Sequence, residues 1–93
     1  MTIQSFVCEE TKQLFTTGST AKFNSIERVA TRKLQLLDGA FELNDMKAPP
    51  GNKLHPLERD RAGQHAIRIN DQYRICFRWT PAGPADVEIT DYH

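Results

Sequence analysis

His65-Ala66-Ile67-Arg68-Ile69-Asn70-Asp71-Gln72-Tyr73-Arg74-Ile75-Cys76-Phe77-Arg78-Trp79 alternates on both sides of a polar break. His65, Ile67 and Ile69 alternate with Ala66, Arg68 and Asn70, the pattern of a half-buried strand. Asn70-Asp71-Gln72 supplies turn residues. Beyond it Tyr73, Ile75, Phe77 and Trp79 share one side, with Arg74, Cys76 and Arg78 on the other. The spacing predicts an antiparallel hairpin with one apolar face and one face bearing arginines. Pro81-Ala82-Gly83-Pro84 turns the chain again, and Val87 and Ile89 mark a third strand over residues 86–90.

Working backward, the pattern changes period. Pro49-Pro50-Gly51-Asn52 breaks regular structure, and residues 41–46 suit a short helical turn. Ile26, Val29, Ala30, Leu34 and Leu37 recur every three or four residues, the stripe of an amphipathic helix. Asn24 with Glu27 resembles a capping box, and Gly39 is placed to end the helix. Residues 9–16 suit a shorter helix stopped by Gly18, and residues 2–8 alternate loosely enough for an N-terminal strand. The expected class is α+β: two N-terminal helices packed on a small antiparallel sheet, with the N-terminal strand joining a three-stranded C-terminal meander.

Length and composition bound the possibilities. The 93 residues suit a single domain over 1–93, and 39% hydrophobic with 26% charged residues argues against a disordered tail. No apolar run approaches the roughly 18 residues of a membrane helix. Met1-Thr2-Ile3-Gln4-Ser5 lacks the basic and apolar segments of a signal peptide. Cys8 and Cys76 are expected to stay reduced, and neither shares a metal-ligand spacing with His55, His65 or His93. These readings point to a cytoplasmic domain without a metal or cofactor.

Formal net charge is zero, which excludes a general polycation, but the charge is uneven. Residues 47–79 hold Lys47, Lys53, Arg59, Arg61, Arg68, Arg74 and Arg78 against Glu58, Asp60 and Asp71. The final residues 80–93 carry only acidic groups, Asp86, Glu88 and Asp91. Guanidinium groups bind phosphate bidentately and stack on bases, so an arginine-bearing sheet face suits a nucleic-acid backbone. The bland alternative is a solvated strand face. Histidine is the usual acid or base near neutral pH, and Tyr92-His93 ends the chain. Arginine, histidine and tyrosine together suffice for metal-free cleavage of RNA through its 2′-hydroxyl. Tyr73, Phe77 and Trp79 read as core, Cys76 as packing, and His55 and His65 as poor catalytic candidates.

Residue order narrows the choice. His55-Pro56-Leu57, the run from Asp60 through Arg68-Ile69-Asn70-Asp71-Gln72-Tyr73-Arg74 to Phe77, and the ending Asp91-Tyr92-His93 resemble the HigB family of bacterial toxins, within the RelE/ParE superfamily. That resemblance implies a type II toxin of RelE-like fold, a ribosome-dependent endoribonuclease cutting mRNA in the A site. It also implies neutralisation by a HigA-like helix-turn-helix antitoxin, through which alone operator DNA would be bound. By the same resemblance Arg74 would stabilise the scissile phosphate, and His93 would transfer protons. Asp91 and Tyr92 would orient His93 or hold the nucleotide, and Arg68 would bind phosphate. Where several family members have a lysine after the Pro-Leu of the loop, this chain has Glu58, leaving Arg59 or Arg61 to supply the cation. Lys53 beside the Pro-Gly loop is a further candidate RNA contact. The alternatives are a ParE-like gyrase-poisoning toxin and a catalytically weakened module that binds an antitoxin.

Overall fold

The structure, a computed structural model, describes residues 2–91. Helix α1 (Glu9–Thr17) and helix α2 (Glu27–Gly39) precede four strands: β1 (His55–Pro56), β2 (His65–Arg68), β3 (Tyr73–Thr80) and β4 (Gly83–Asp91). The strands form one antiparallel sheet in the order β1-β2-β3-β4. Both helices pack on one face of it. The class expected from the sequence is therefore present, with one difference in how the sheet is completed.

The helix boundaries follow local chemistry. Gly18 closes α1 in the left-handed region, φ 81°, and its N–H returns to the Leu14 carbonyl at 2.8 Å. Asn24 does not cap α2; it lies in a 3-10 turn, Ala21–Ile26, that precedes the helix. The Glu27 carboxylate instead turns back and accepts from Ser19 Oγ at 3.0 Å and the Thr20 N–H at 3.2 Å. Ala30, Leu34 and Leu37 are buried against Phe23, Ile67, Ile75, Phe77, Val87 and Ile89. Val29, read as part of that stripe, is 40% exposed. Its position lies about 100° around the helix from Ala30 and Leu37, outside the arc that the sheet covers.

The expected N-terminal strand is corrected to a single parallel bridge, Phe6↔Val87. Two hydrogen bonds flank it: Val7 N–H to Val87 O, and Val87 N–H to Ser5 O, each 3.0 Å. The ladder stops there because the next outward donor on β4, Ile89 N–H, is taken by the buried Thr11 hydroxyl of α1 at 3.1 Å. Segment and helix together cover the edge of β4, which would otherwise present unpaired backbone groups. The fourth strand is the two-residue β1, where the sequence reading placed a loop.

A bulge in β4 sets the register. Thr80 pairs with Gly83 and Arg78 with Ala85, yet Cys76 pairs with Glu88 and Ile75 with Ile89. The extra residue lies opposite Phe77, and Asp86 takes a left-handed φ of 52°. Without it, counting from Thr80↔Gly83 would set Ile89 opposite Arg74 and turn the apolar residues of β4 outward. With it, Val87 and Ile89 enter the core.

The loop between α2 and β1 is also internally supported. Residues 43–47 form the short helical turn read from the sequence, closed by a capping box between Glu42 and Asp45. Asn52 is fully buried and donates to the carbonyls of Met46 and Ala48, both at 3.1 Å. Its role as a strut was hidden in a stretch legible only as a break.

Candidate functional site

The candidate site lies on the sheet face away from the helices. Register places Arg68 of β2 directly across from Arg74 of β3, and Arg74 across from Thr90 of β4. Like charges facing each other across a strand pair are destabilising unless something satisfies them. Asp71, in the hairpin turn, pairs with Arg68. Arg74 Nε donates to Thr90 Oγ1 at 3.4 Å, which directs the guanidinium along the sheet face. Two guanidinium groups on neighbouring strands make a fork suited to a phosphate.

The rest of this face is not the open surface expected from the sequence. Arg61 Nη1 reaches from the loop before β2 to Glu88 Oε1 on β4, 3.1 Å away, and also donates to Gln64 Oε1 at 3.1 Å. Glu88 faces Cys76, which faces Ala66, so the bridge spans three strands. Ala66 and Cys76 are fully buried on that face, and the sequence reading of Cys76 as a packing residue agrees. Arg78 follows a similar path in reverse: its Nε is 3.5 Å from Asp86 Oδ2, and its guanidinium lies against Gly63. Thus Arg61, Arg68 and Arg78 each face a carboxylate, which offsets part of the basic block counted along the chain.

The remaining predicted residues divide by position. Lys53 and Arg59 are exposed and hold left-handed backbone conformations, φ 48° and 57°, on either side of β1. Glu58, at the position noted for the family lysine, is exposed just before the 3-10 turn Arg59–Arg61. His55 Nδ1 lies 2.9 Å from the Lys53 carbonyl. Asp91 pairs with Tyr73 and so falls on the helix-bearing side, opposite to Arg74; Gln72 Nε2 donates to its Oδ2 at 2.9 Å. Tyr92 and His93 lie outside the described residues. Among the described residues no group of three His, Cys, Asp or Glu side chains is gathered to hold a metal, and no helix is long and apolar enough to cross a membrane.

Two supporting residues escaped the sequence reading. Lys33 of α2 reaches around the sheet edge, and its Nζ donates to the Arg68 carbonyl at 2.6 Å. Burial pushes its pKa below the usual lysine value, and the Arg68 charge adds to the effect. Thr90 was missed because its place beside Arg74 depends on the bulge at Asp86. Neither leaves a motif; the only available signal was that Lys33 borders the apolar stripe of α2.

Comparison with known proteins places this geometry in a class. A YoeB/ParE toxin from Agrobacterium tumefaciens superposes over the full length of both chains with a TM-score of 0.59 at 17% identity, which shows a shared fold. A family model described as the RelE-like toxin HigB of type II toxin-antitoxin systems matches residues 4–93, and the chain belongs to this HigB-like toxin family. It is 45% identical over 56 residues to Toxin HigB-1 of Vibrio cholerae serotype O1, covering 60% of this chain and 59% of that protein. An uncharacterised protein of Haemophilus influenzae is 32% identical over 56 residues, covering 60% and 55%. The chain thus spans less than two thirds of the length of either curated relative.

Proposed function

We propose that this protein is the toxin component of a type II toxin-antitoxin system, acting as a metal-independent endoribonuclease on mRNA bound to the ribosome. The observation that carries the reading is the row Arg68–Arg74–Thr90, at the end of the strand that leads into Tyr92-His93. Family membership supports the toxin role, and a HigA-like antitoxin is the partner that follows from it.

In the proposed reaction a base removes the proton of the 2′-hydroxyl and its oxygen attacks the adjacent phosphorus. The bond from phosphorus to the 5′-oxygen breaks, and an acid protonates the departing oxygen. The products are a 2′,3′-cyclic phosphate and a 5′-hydroxyl end. Arg74 is assigned to the charge that develops on the phosphoryl oxygens, and Arg68 to binding the phosphate. His93 is assigned to proton transfer, with Tyr92 and Asp91 as its neighbours. Arg59 and Lys53 are assigned to the flanking RNA backbone. Arg61 joins them only if phosphate displaces Glu88. DNA lacks the attacking hydroxyl and would be spared.

The test is a cell-free translation reaction with mRNA ends mapped. Wild-type protein, equimolar with ribosomes, is expected to stop synthesis and leave mRNA cut in the reading frame. Arg74→Ala is expected to lower cleavage by about 10²–10³-fold. Intact mRNA and normal synthesis with the wild type would overturn the proposal, and inhibited supercoiling in a gyrase assay would favour the ParE-like alternative.

A further inference from the structure

Glu88 neutralises a guanidinium that stands one row away from the proposed phosphate fork. Thr90 and Glu88 are two residues apart on β4 and share the outer face of the sheet, since Arg74 pairs with Thr90 and Cys76 with Glu88. Two residues of strand cover about 6.6 Å, comparable with one nucleotide of extended RNA backbone. With one phosphate seated on Arg68 and Arg74, a strand of RNA running along β3 brings its next phosphate to the place that Arg61 and Glu88 occupy.

The Arg61 side chain is already oriented for that contact. Its Nη1 donates to Gln64 Oε1 as well as to Glu88 Oε1, each at 3.1 Å, and its carbonyl accepts the Gln64 N–H at 3.0 Å. Gln64 is neutral and holds the guanidinium in place whether or not the carboxylate stays. What Glu88 adds is charge, because a closed ion pair presents no net charge to a phosphate.

The other carboxylates near this face compete less well. Asp71, the partner of Arg68, has 92% of its side chain exposed, against 23% for Glu88. Water screens the exposed pair, so a phosphate displaces Asp71 more readily than it displaces Glu88. Glu58 and Asp60 flank Arg61 along the loop and are exposed as well. Asp86 faces Arg78 at 3.5 Å, one row farther from Arg74.

We propose that Arg61 is a second phosphate subsite, for the phosphodiester next to the one on Arg68 and Arg74, and that Glu88 occupies it as an internal phosphate mimic. The inference rests on the ribonuclease reading for its ligand and adds a restraint on it. Glu88 weakens the grip on free RNA, in keeping with the proposed dependence on the ribosome to present the strand.

The probe is a fluorescent single-stranded 2′-O-methyl RNA, which lacks the attacking hydroxyl, titrated against the full chain by anisotropy. Glu88→Gln preserves length and shape and is expected to bind it about three- to tenfold more tightly than wild type. The slope of log affinity against log salt should steepen by about 0.7, the value of one more phosphate contact. The double variant Arg61→Gln, Glu88→Gln is expected to return to the affinity and slope of wild type. If Glu88→Gln melts well below wild type, Glu88→Met, of similar length and uncharged, carries the same expectation. Affinity unchanged by loss of the carboxylate would overturn the proposal. So would a gain that persists in the double variant, since that is only a general relief of negative charge. Binding is read here without catalysis, which separates the two readings. An Arg61-dependent gain in a protein that leaves ribosome-bound mRNA intact counts against the ribonuclease reading alone, and cleavage on the ribosome without any gain counts against the subsite alone.

Discussion

Replacing Thr11 by Val removes one hydroxyl while nearly preserving side-chain shape, and it tests how α1 is tied to the sheet. Thr11 is fully buried, and its Oγ1 accepts from Ile89 N–H at 3.1 Å. That amide points away from β3, so no strand replaces the lost acceptor. An orphaned buried donor costs about 1–3 kcal/mol. The added methyl returns up to about 0.8 kcal/mol. With the full methyl return the net loss is about 0.2–2.2 kcal/mol, and at 4–8 °C per kcal/mol for a domain of this size the melting temperature should fall by roughly 1–18 °C. Thr11→Ser keeps the acceptor and loses a methyl, at about 0.5–1.5 kcal/mol, so melting alone does not separate the two. Amide exchange does. In Thr11→Val the Ile89 amide should exchange by local opening, whereas in Thr11→Ser it should exchange only with global unfolding. The next residue, Thr90, receives Arg74 Nε, so the same variant should also lower the translation block. A Thr11→Val protein that melts within about 1 °C of wild type, its Ile89 amide still protected, would show that the Thr11 hydroxyl does not tie α1 to β4.

Three further outcomes are expected. Gly63 has φ 92°, and a Cβ there would meet Arg78 Nη1 at 2.8 Å; Gly63→Ala should cost about 1–2 kcal/mol in denaturant unfolding, chiefly from the backbone, since the arginine tip can move. A double-mutant cycle on Arg61 and Glu88 should give a coupling of roughly 0.5–1 kcal/mol, because both side chains keep partial contact with water; zero coupling would mean the bridge does not hold the loop. Lys33 has a lowered pKa in the folded state, so below that pKa its charge opposes folding. The penalty is relieved as pH rises through the lowered pKa toward the ordinary lysine value of 10.5. Wild type should therefore gain stability relative to Lys33→Met as pH increases over that window, and a constant difference between the two melting curves would contradict this.

The sequence alone determined the types of the two helices and of β2, β3 and β4, though not of residues 2–8 or of β1. Burial on one face imposes period two on a strand and about 3.6 on a helix, so His65–Trp79 and the stripe Ala30, Leu34, Leu37 could be read without coordinates. It also determined the family, through residue order in Arg68–Phe77 and the chain's end. Tertiary structure decided the pairings, because these join residues distant in sequence and depend on register. One extra residue at Asp86 puts Thr90 beside Arg74; the path of the loop before β2 puts Arg61 on Glu88; and the seating of α1 gives Thr11 to Ile89. Periodicity is a local property and carries no register. The same limit left Val29 counted as core, when the sheet covers too narrow an arc of α2 to reach it.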